Sequence, residues 1–217
     1  MADYATQRFN MVECQVRTND VTDPRIHDAM LAVPRERFVP ASRRAFAYAD
    51  VPVEIAPGRS LLDPRTFAKL VQLADLHATD RVLDVACGTG YSTVVLARIA
   101  KEVVGLEQDA DLVRAASDMV PASGATNATV VQGGLTEGVK AKAPFDAILI
   151  EGAVESVPDS LIGQLAEGGR LAAIVNAGGQ GRAQLFVREK GRVGSRMDFD
   201  ASVPLLAGFR KVVGFVF

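Results

Sequence analysis

Histidine and cysteine are scarce in this 217-residue sequence, and their scarcity excludes several kinds of site. The two histidines, His27 and His77, stand apart from each other and from any cluster of acids. The two cysteines, Cys14 and Cys87, have neither metal-ligand nor redox spacing. The sequence therefore predicts no metal site and no Ser-His-Asp triad, and its sparing use of cysteine suits a reducing cytoplasm.

The sequence also lacks a basic excess, a long apolar run and a secretory leader. Its 24 Lys and Arg against 26 Asp and Glu give a net charge of -2, which argues against a general nucleic-acid binder. No apolar run approaches the roughly 20 residues of a membrane helix, and "MADYATQRFN" does not resemble a signal peptide. With 48% hydrophobic residues, we expect one cytoplasmic globular domain without nucleic-acid or membrane partners. No oligomeric state follows from these features.

The first part of the chain, residues 1–79, is predicted to be a helical extension. Asp23-Pro24 and Asp63-Pro64 each combine an N-cap residue with a proline at the first helical position. The helical stretches are "ATQRFNMVECQV", "TDPRIHDAMLAV" and "PRTFAKLVQLADL". Between the second and third helices, the proline-rich "VPRERFVPASRRAFAYADVPVEIAPG" is predicted to be an ordered loop lying across another part of the molecule.

The second part, residues 80–217, alternates short apolar runs with helical stretches, which predicts a parallel sheet with both faces covered. Helices are expected between the first five strands, and a turn at Lys190-Gly191 predicts antiparallel pairing near the C-terminus. The fold class is thus α/β: a doubly wound sheet, mostly parallel, with an antiparallel C-terminal edge and an N-terminal helical extension. The predicted strands are "RVLDVA", "EVVGLE", "ATVVQG", "FDAILIE", "GRLAAIV", "AQLFVRE", "RVGSRMDF" and "FRKVVGFVF".

A glycine turn in "VLDVACGTGYST" follows the first of these strands, where open α/β sheets bind their ligands. A dinucleotide-binding turn keeps its third glycine position small, but Thr93 stands there. Asp84, just before the turn, would repel a pyrophosphate and suit a ligand that carries an ammonium and a sulfonium. Glu107 follows Gly88 by 19 residues, close to the ~20 expected for an acid that binds ribose hydroxyls. Together with Gly90, these residues resemble the S-adenosyl-L-methionine (SAM) site of a class I methyltransferase.

Further blocks resemble the protein-L-isoaspartate O-methyltransferase family from about Met11 onward. They are "MVECQVRTNDVTDPRIHDAMLAVPRERFVP", "AYADVPVEI", "APFDAILIEGAVESVPDSLIGQLAEGGRL" and "SVPLLAGF". The resemblance implies a Rossmann-like SAM-binding sheet whose last strands are reordered, and methyl transfer to a carboxylate of isomerised aspartate in damaged proteins. It also implies a set of cofactor-binding residues: Asp84, Ala86, Cys87, Gly88, Gly90, Tyr91, Glu107, Gln108, Gly134 and Leu135. Of these, Cys87 has no neighbouring base in the sequence and is interpreted as a packing residue rather than a nucleophile.

Three departures from the family pattern concern the substrate and the adenine. Ser60 matches the family's threonine before the third helix, whereas Leu62 replaces the serine thought to touch the acceptor carboxylate. The family's glycine-aspartate-glycine after the third strand reads Gly133-Gly134-Leu135, so the acid near the adenine amine is missing. At the end of the fourth strand, Glu151 replaces a small or hydroxylated residue.

Glu151 leaves the acceptor open. A carboxylate acceptor needs no general base and would be repelled by an ionised Glu151, whereas an amine or hydroxyl acceptor must lose a proton that Glu151 can take. We therefore predict Ser60 and Glu151 as catalytic residues, with Leu62 and Arg43 on the substrate side. The alternatives are a SAM-dependent methyltransferase for a different small-molecule or protein acceptor, and a SAM-binding protein that no longer transfers methyl groups.

Overall fold

The computed structural model describes residues 3–209, which are organised around one mixed sheet of seven strands. The strand order is β5-β4-β3-β6-β7-β8-β9, with parallel pairing from β5 through β7 and antiparallel pairing from β7 to β9. This arrangement confirms the predicted α/β class with an antiparallel C-terminal edge. The last three strands follow one another in chain order across the sheet.

The N-terminal part contains three α-helices, of which the second and third begin at the predicted caps. The Asp23 carboxylate accepts from the Arg25 amide, and the Asp63 carboxylate accepts from the Thr66 amide. The helices are α1 (Tyr4–Met11), continued by a π-helix (Val12–Val16) and a 3-10 turn (Arg17–Asn19), α2 (Pro24–Ala32) and α3 (Pro64–Ala74). Two further 3-10 turns, Arg35–Phe38 and Ala41–Phe46, follow α2.

The prediction of a loop before α3 is partly wrong, because this segment contains a β-hairpin outside the main sheet. Strands β1 (Val53–Ala56) and β2 (Arg59–Leu61) pair antiparallel across a turn in which Gly58 has φ +71°. A side chain at that φ is strained, so glycine favours the turn. The hairpin was not predicted because its strands are short and prolines lie near them.

The parallel strands coincide with the predicted apolar runs, but the connection between β5 and β6 does not form the expected α-helix. The glycines and the proline of "GGLTEGVKAKAP" favour an irregular path, which includes only a 3-10 turn at Lys140–Lys142. The strands are β3 (Arg81–Val85), β4 (Glu102–Glu107), β5 (Ala128–Gln132), β6 (Phe145–Val154) and β7 (Leu165–Val175). The helices are α4 (Tyr91–Ala97), α5 (Ala110–Ala122) and α6 (Asp159–Ile162).

The C-terminal edge is a hairpin of β8 (Arg182–Glu189) and β9 (Arg192–Asp200). Its turn lies at Lys190 and Gly191, both with positive φ, as predicted. The predicted strand "FRKVVGFVF" begins at Phe209 and otherwise lies outside the described residues. No helix between residues 3 and 209 is long and apolar enough to cross a membrane.

The sheet separates two apolar layers, and side chains alternate between them along each strand. On β3, Val82 packs with the N-terminal helices, whereas Leu83 and Val85 belong to the opposite layer. On β6, Leu149 and Ala153 join Val82 in the first layer. Asp84 is two residues after Val82, and Glu151 is two residues from both Leu149 and Ala153. Both acids therefore lie on the sheet face that the N-terminal part covers.

Candidate active site

Three buried acids lie at the carboxyl ends of neighbouring strands. Asp84 is on β3, Glu107 ends β4, and Glu151 is near the end of β6, with exposed fractions of 0%, 0% and 7%. Strand β3 pairs with both β4 and β6, so these acids converge at one edge of the sheet. Ligands of open parallel sheets bind at this edge.

The glycine turn leads from β3 to α4 and brings backbone close to its surroundings. Ala86, Gly88 and Gly90 have φ values of +67°, +58° and +93°. A Cβ on Gly90 would lie 2.7 Å from Val120 Cγ2 of α5, so only glycine fits there. The amides of Ala86 and Cys87 donate to the Leu106 carbonyl, which ties the turn to β4.

Asp84 carries an unpartnered oxygen beneath this turn. Its Oδ2 accepts from Ser92 Oγ at 2.7 Å and from Thr93 Oγ1 at 2.6 Å, whereas Oδ1 has no hydrogen-bond partner among the described residues. Burial raises the pKa of the Asp84 carboxyl to about 6, and Glu107 adds to that rise, against the opposing effect of the two hydroxyls. A buried carboxylate oxygen without a partner is costly, and a cationic ligand would supply the missing interaction.

Glu107, the predicted ribose-binding acid, is fully partnered within the chain. Its Oε1 accepts from Arg59 Nη1 at 2.5 Å and its Oε2 from Arg59 Nη2 at 2.7 Å, which forms a bidentate ion pair. The amides of Gly88, Gln108 and Asp109 donate to the same carboxylate at 3.0, 2.8 and 3.1 Å. The ribose position of the predicted cofactor site is therefore held by an arginine of the chain itself.

Arg59 reaches Glu107 from the β1–β2 hairpin, which lies over the glycine turn. Its side chain is 7% exposed, and Nη2 also donates to the Ala86 carbonyl at 3.0 Å. A Cβ on Gly88 would lie 2.5 Å from Ile55 Cδ1 of β1. The sequence analysis missed Arg59. The only available signal was its alternation with Leu61 along β2, where both side chains are buried.

A small cavity brings together three of the four residues that were predicted as catalytic or substrate-binding. Ser60, Leu62 and Glu151 line a space of about 10 Å³ beside the glycine turn. Arg43 is not among them: it is exposed and donates to Glu54 Oε2 at 3.0 Å, away from this cavity. The other lining residues are Arg35, Leu61, Phe67, Ala86, Cys87, Tyr91 and Ser92.

Arg35 is the second residue that the sequence analysis missed. It is 1% exposed and comes from the 3-10 turn after α2. Its Nε donates to the Ala47 carbonyl at 2.7 Å, and its Nη2 donates to the Leu62 carbonyl at 2.5 Å. Its guanidinium carbon lies 4.7 Å from the centre of the Tyr91 ring, as in a cation–π contact. Arg35 thus fixes the backbone at Leu62 and places a positive charge beside the cavity.

Glu151 lies among these residues without a partner for Oε1. Burial raises the pKa of its carboxyl well above the ordinary value, and the nearby Asp84 raises it further, while Arg35 opposes both effects. These surroundings favour the protonated form of Glu151 over the ionised one. A protonated carboxyl donates one hydrogen bond and carries no charge, so it does not repel a carboxylate acceptor.

The remaining predicted cofactor residues surround the acids. Burial raises the pKa of the Cys87 thiol well above its usual range, which agrees with a packing residue. Tyr91 is buried between Phe38 and Phe67 at the start of α4. Gln108 is exposed, Gly134 is half-buried and Leu135 is buried. Gly134 and Leu135 follow Gly133, whose amide donates to the Glu107 carbonyl.

A larger cavity of about 660 Å³ lies beyond the hairpin and contains none of the predicted site residues. Ile55, Ala56 and Pro57 of the hairpin line one side of it, and residues of α5 line another. Thr89 of the glycine turn and Asp109 after β4 also line it, so this cavity borders the outside of the turn. SAM fits one part of the site as it stands, because Asp84 Oδ1 lacks a cation. It fits Glu107 only after Arg59 has left.

Comparison with known proteins finds one family over most of the chain. The family model "Protein-L-isoaspartate(D-aspartate) O-methyltransferase (PCMT)" matches residues 7 to 205. The chain is similar to the protein-L-isoaspartate O-methyltransferase of Koribacter versatilis, with 35% identity over 95% of this chain and 93% of that protein. The enzyme of the same name from a Roseiflexus species is 40% identical over 86% of this chain and 84% of that protein.

Two solved structures share the fold. One, titled protein-L-isoaspartate O-methyltransferase, has a TM-score of 0.80 and 24% identity over 94% of this chain and 66% of its own. The other is a putative protein-L-isoaspartate O-methyltransferase from Plasmodium falciparum in complex with S-adenosyl-L-homocysteine. It has a TM-score of 0.77 and 21% identity over 95% of this chain and 99% of its own.

Proposed function

This chain belongs to the protein-L-isoaspartate(D-aspartate) O-methyltransferase family, and we propose that it transfers a methyl group to a carboxylate of isomerised aspartate in proteins. The family uses SAM as its methyl donor. The observation that carries the proposal is the unpartnered Asp84 oxygen beneath the glycine turn, inside the region that matches the family model. It provides a buried anion for the cationic end of this donor.

Bound SAM supplies a methyl group on a sulfonium, which the acceptor oxygen takes in an in-line displacement that leaves S-adenosyl-L-homocysteine. Positioning dominates such a reaction, and the residues of the chain would divide it among themselves. Asp84 attracts the cationic end, and the turn from Ala86 to Gly90 allows close approach of the backbone. Once Arg59 has left, Glu107 would accept from the ribose hydroxyls, and Gln108, Gly134 and Leu135 would flank the adenine.

On the acceptor side, we assign Glu151 the role of a hydrogen-bond donor rather than a base. Burial raises the pKa of its carboxyl, which favours the protonated form, and that form would donate to one oxygen of an acceptor carboxylate while the other oxygen attacks. Ser60 offers a second hydroxyl on the same cavity. Arg35, which holds the backbone of Leu62, is a positioning residue whose charge favours an anionic acceptor.

The direct test is transfer of labelled methyl from SAM to an isoaspartyl peptide, with the matching normal aspartyl peptide as control. Selective labelling of the isoaspartyl peptide is expected. Absence of labelling from protein that binds S-adenosyl-L-homocysteine would mean that the scaffold acts on another acceptor, or only binds the cofactor.

A second candidate function, transfer to an amine or hydroxyl, is favoured by the apolar Leu62 side chain on the cavity wall. The Glu151→Gln variant separates the two, with Glu151→Ala as its partner. Glutamine keeps a donor but cannot take a proton. If Glu151 donates, Glu151→Gln should keep turnover within about threefold and Glu151→Ala should lose about tenfold, as for one hydrogen bond to a charged group. If Glu151 is a base, both variants should lose about 100-fold or more.

We place this reaction in the cytoplasm, because both cysteines are free and buried Cys87 has no disulfide partner. The proposed acceptor is a protein or peptide with isoaspartyl residues. The near-neutral charge of the chain does not favour a nucleic acid in that role.

A further inference from the structure

We infer that Arg59 competes with the cofactor ribose for Glu107, so that this arginine sets how tightly the chain binds its methyl donor. The inference rests on SAM as the cofactor and not on the identity of the acceptor. It concerns a residue for which the sequence pattern gave no role.

The Glu107 carboxylate has no acceptor capacity left. A carboxylate offers about four lone-pair sites, and five donors already contact this one. Three of the donors are backbone amides that belong to the turn and to the end of β4. The remaining two are the guanidinium N–H groups of Arg59. Since a ribose presents two hydroxyl donors, it can replace Arg59 bond for bond while the amides stay in place.

The space under the hairpin is also too small for a cofactor. The cavity beside Ser60 and Glu151 has about 10 Å³, which is room for about one water at most. Ile55 packs directly on the turn at Gly88. Displacing Arg59 from Glu107 and lifting Ile55 from Gly88 are movements of the same hairpin. One displacement therefore clears both obstacles.

The hairpin is suited to such a movement. Its strands have four and three residues and pair only with each other, outside the seven-stranded sheet. Its movement therefore breaks no hydrogen bond of the main sheet, although Val53 and Leu61 anchor it in the core. The Arg59 Nε has no partner in the closed arrangement, so transfer of Arg59 to water satisfies a donor that is now unpaired. The ion pair with Glu107 is the main polar contact that the cofactor must replace.

The test measures binding of S-adenosyl-L-homocysteine by calorimetry to the wild-type chain and to an Arg59→Gln variant, without acceptor. In the wild-type chain, only molecules in which Arg59 has left Glu107 can bind the ligand, and the apparent affinity is reduced by that fraction. Arg59→Gln should therefore bind S-adenosyl-L-homocysteine at least about tenfold more tightly. The thermal midpoint of its ligand-free form should fall, since a buried ion pair is lost. A purely structural residue would lower the midpoint without raising the affinity.

Arg170→Gln is the matched control. Arg170 forms a largely buried pair with Asp80 at 2.6 Å, away from the three acids. Its loss should lower the thermal midpoint and leave the affinity unchanged. If Arg59→Gln does not fold, Arg59→Lys retains a charge but not the bidentate pair, and should bind severalfold more tightly than wild type. Equal, weaker or absent binding by a folded Arg59 variant would overturn the inference. Failure to methylate an isoaspartyl peptide would leave it intact.

Discussion

Replacing Asp84 by asparagine should stabilise the ligand-free protein and weaken its binding of SAM. The substitution removes a buried charge that has one unpartnered oxygen. The amide oxygen can still accept from the hydroxyls of Ser92 and Thr93, which now bond to Oδ2. A gain in stability together with a loss of binding is typical of a residue kept for a ligand.

The magnitude follows from the pKa of the Asp84 carboxyl, which burial raises from 3.8 to about 6. At about 1.4 kcal/mol per unit of pKa, the ionised carboxylate lowers the free energy of unfolding by about 3 kcal/mol above pH 7. Because the folded-state pKa is raised, the contribution of Asp84 is most favourable below pH 3.8 and is lost as the pH rises through about 6. At pH 5 the loss is about half complete. In Asp84→Asn the new amide N–H has no partner, which reduces the expected increase in the free energy of unfolding by about 1 kcal/mol.

The assay is urea unfolding of the ligand-free protein at pH 5 and pH 8, with Asp80→Asn as the control. Asp84→Asn should raise the free energy of unfolding by about 2 kcal/mol at pH 8, and by clearly less at pH 5. Asp80 is also buried but is paired with Arg170, so Asp80→Asn should destabilise at both pH values. Calorimetry should show SAM binding at least about tenfold weaker in Asp84→Asn. Destabilisation of Asp84→Asn at pH 8, or a difference independent of pH, would refute the reasoning.

Two further substitutions test the walls of the site. Leu62→Ser introduces a hydroxyl beside Ser60 and should raise turnover of an isoaspartyl peptide severalfold. It should also lower the free energy of unfolding by about 3 kcal/mol, because Leu62 is only 3% exposed. Unchanged turnover in the folded variant would remove Leu62 from the acceptor contacts. Gly88→Ala adds a Cβ that would lie 2.5 Å from Ile55 at a φ of +58°, and should lower the thermal midpoint by several degrees, as expected for about 1–2 kcal/mol of strain. A midpoint equal to that of wild type would contradict both the positive φ of Gly88 and its close contact with Ile55.

The sheet could be predicted from the sequence because its signals are local. Each parallel strand is an apolar run bounded by polar residues, and the turn at Lys190 and Gly191 has its own dipeptide signal. The two errors occur where the local signals are weak. Prolines obscure the short β1–β2 hairpin, and the segment from Gly133 to Pro144 contains enough polar and helix-forming residues to suggest a helix that its glycines prevent.

The acids of the site were predictable, whereas its arginines were not. Asp84, Glu107 and Glu151 each lie near the carboxyl end of an apolar strand, so the parallel topology brings them to one edge. Arginines are mostly exposed in proteins, and nothing near Arg59 in the sequence indicates a partner 48 residues away. Burial of Arg59 depends on the tertiary placement of the hairpin.

The charges of the site give the two binding predictions a common basis. Asp84 and Glu107 are the two buried acids beside the glycine turn, and of these only Glu107 has an arginine as ion-pair partner. SAM carries a sulfonium, an ammonium and a carboxylate, and so has a net charge of about +1 near neutral pH. When it replaces Arg59, one positive charge leaves Glu107 and one arrives near Asp84, so the charge of the buried site does not change. Exchange of this kind avoids the large cost of burying an uncompensated charge, and it makes the unpartnered oxygen of Asp84 and the ion pair of Glu107 two parts of one binding event.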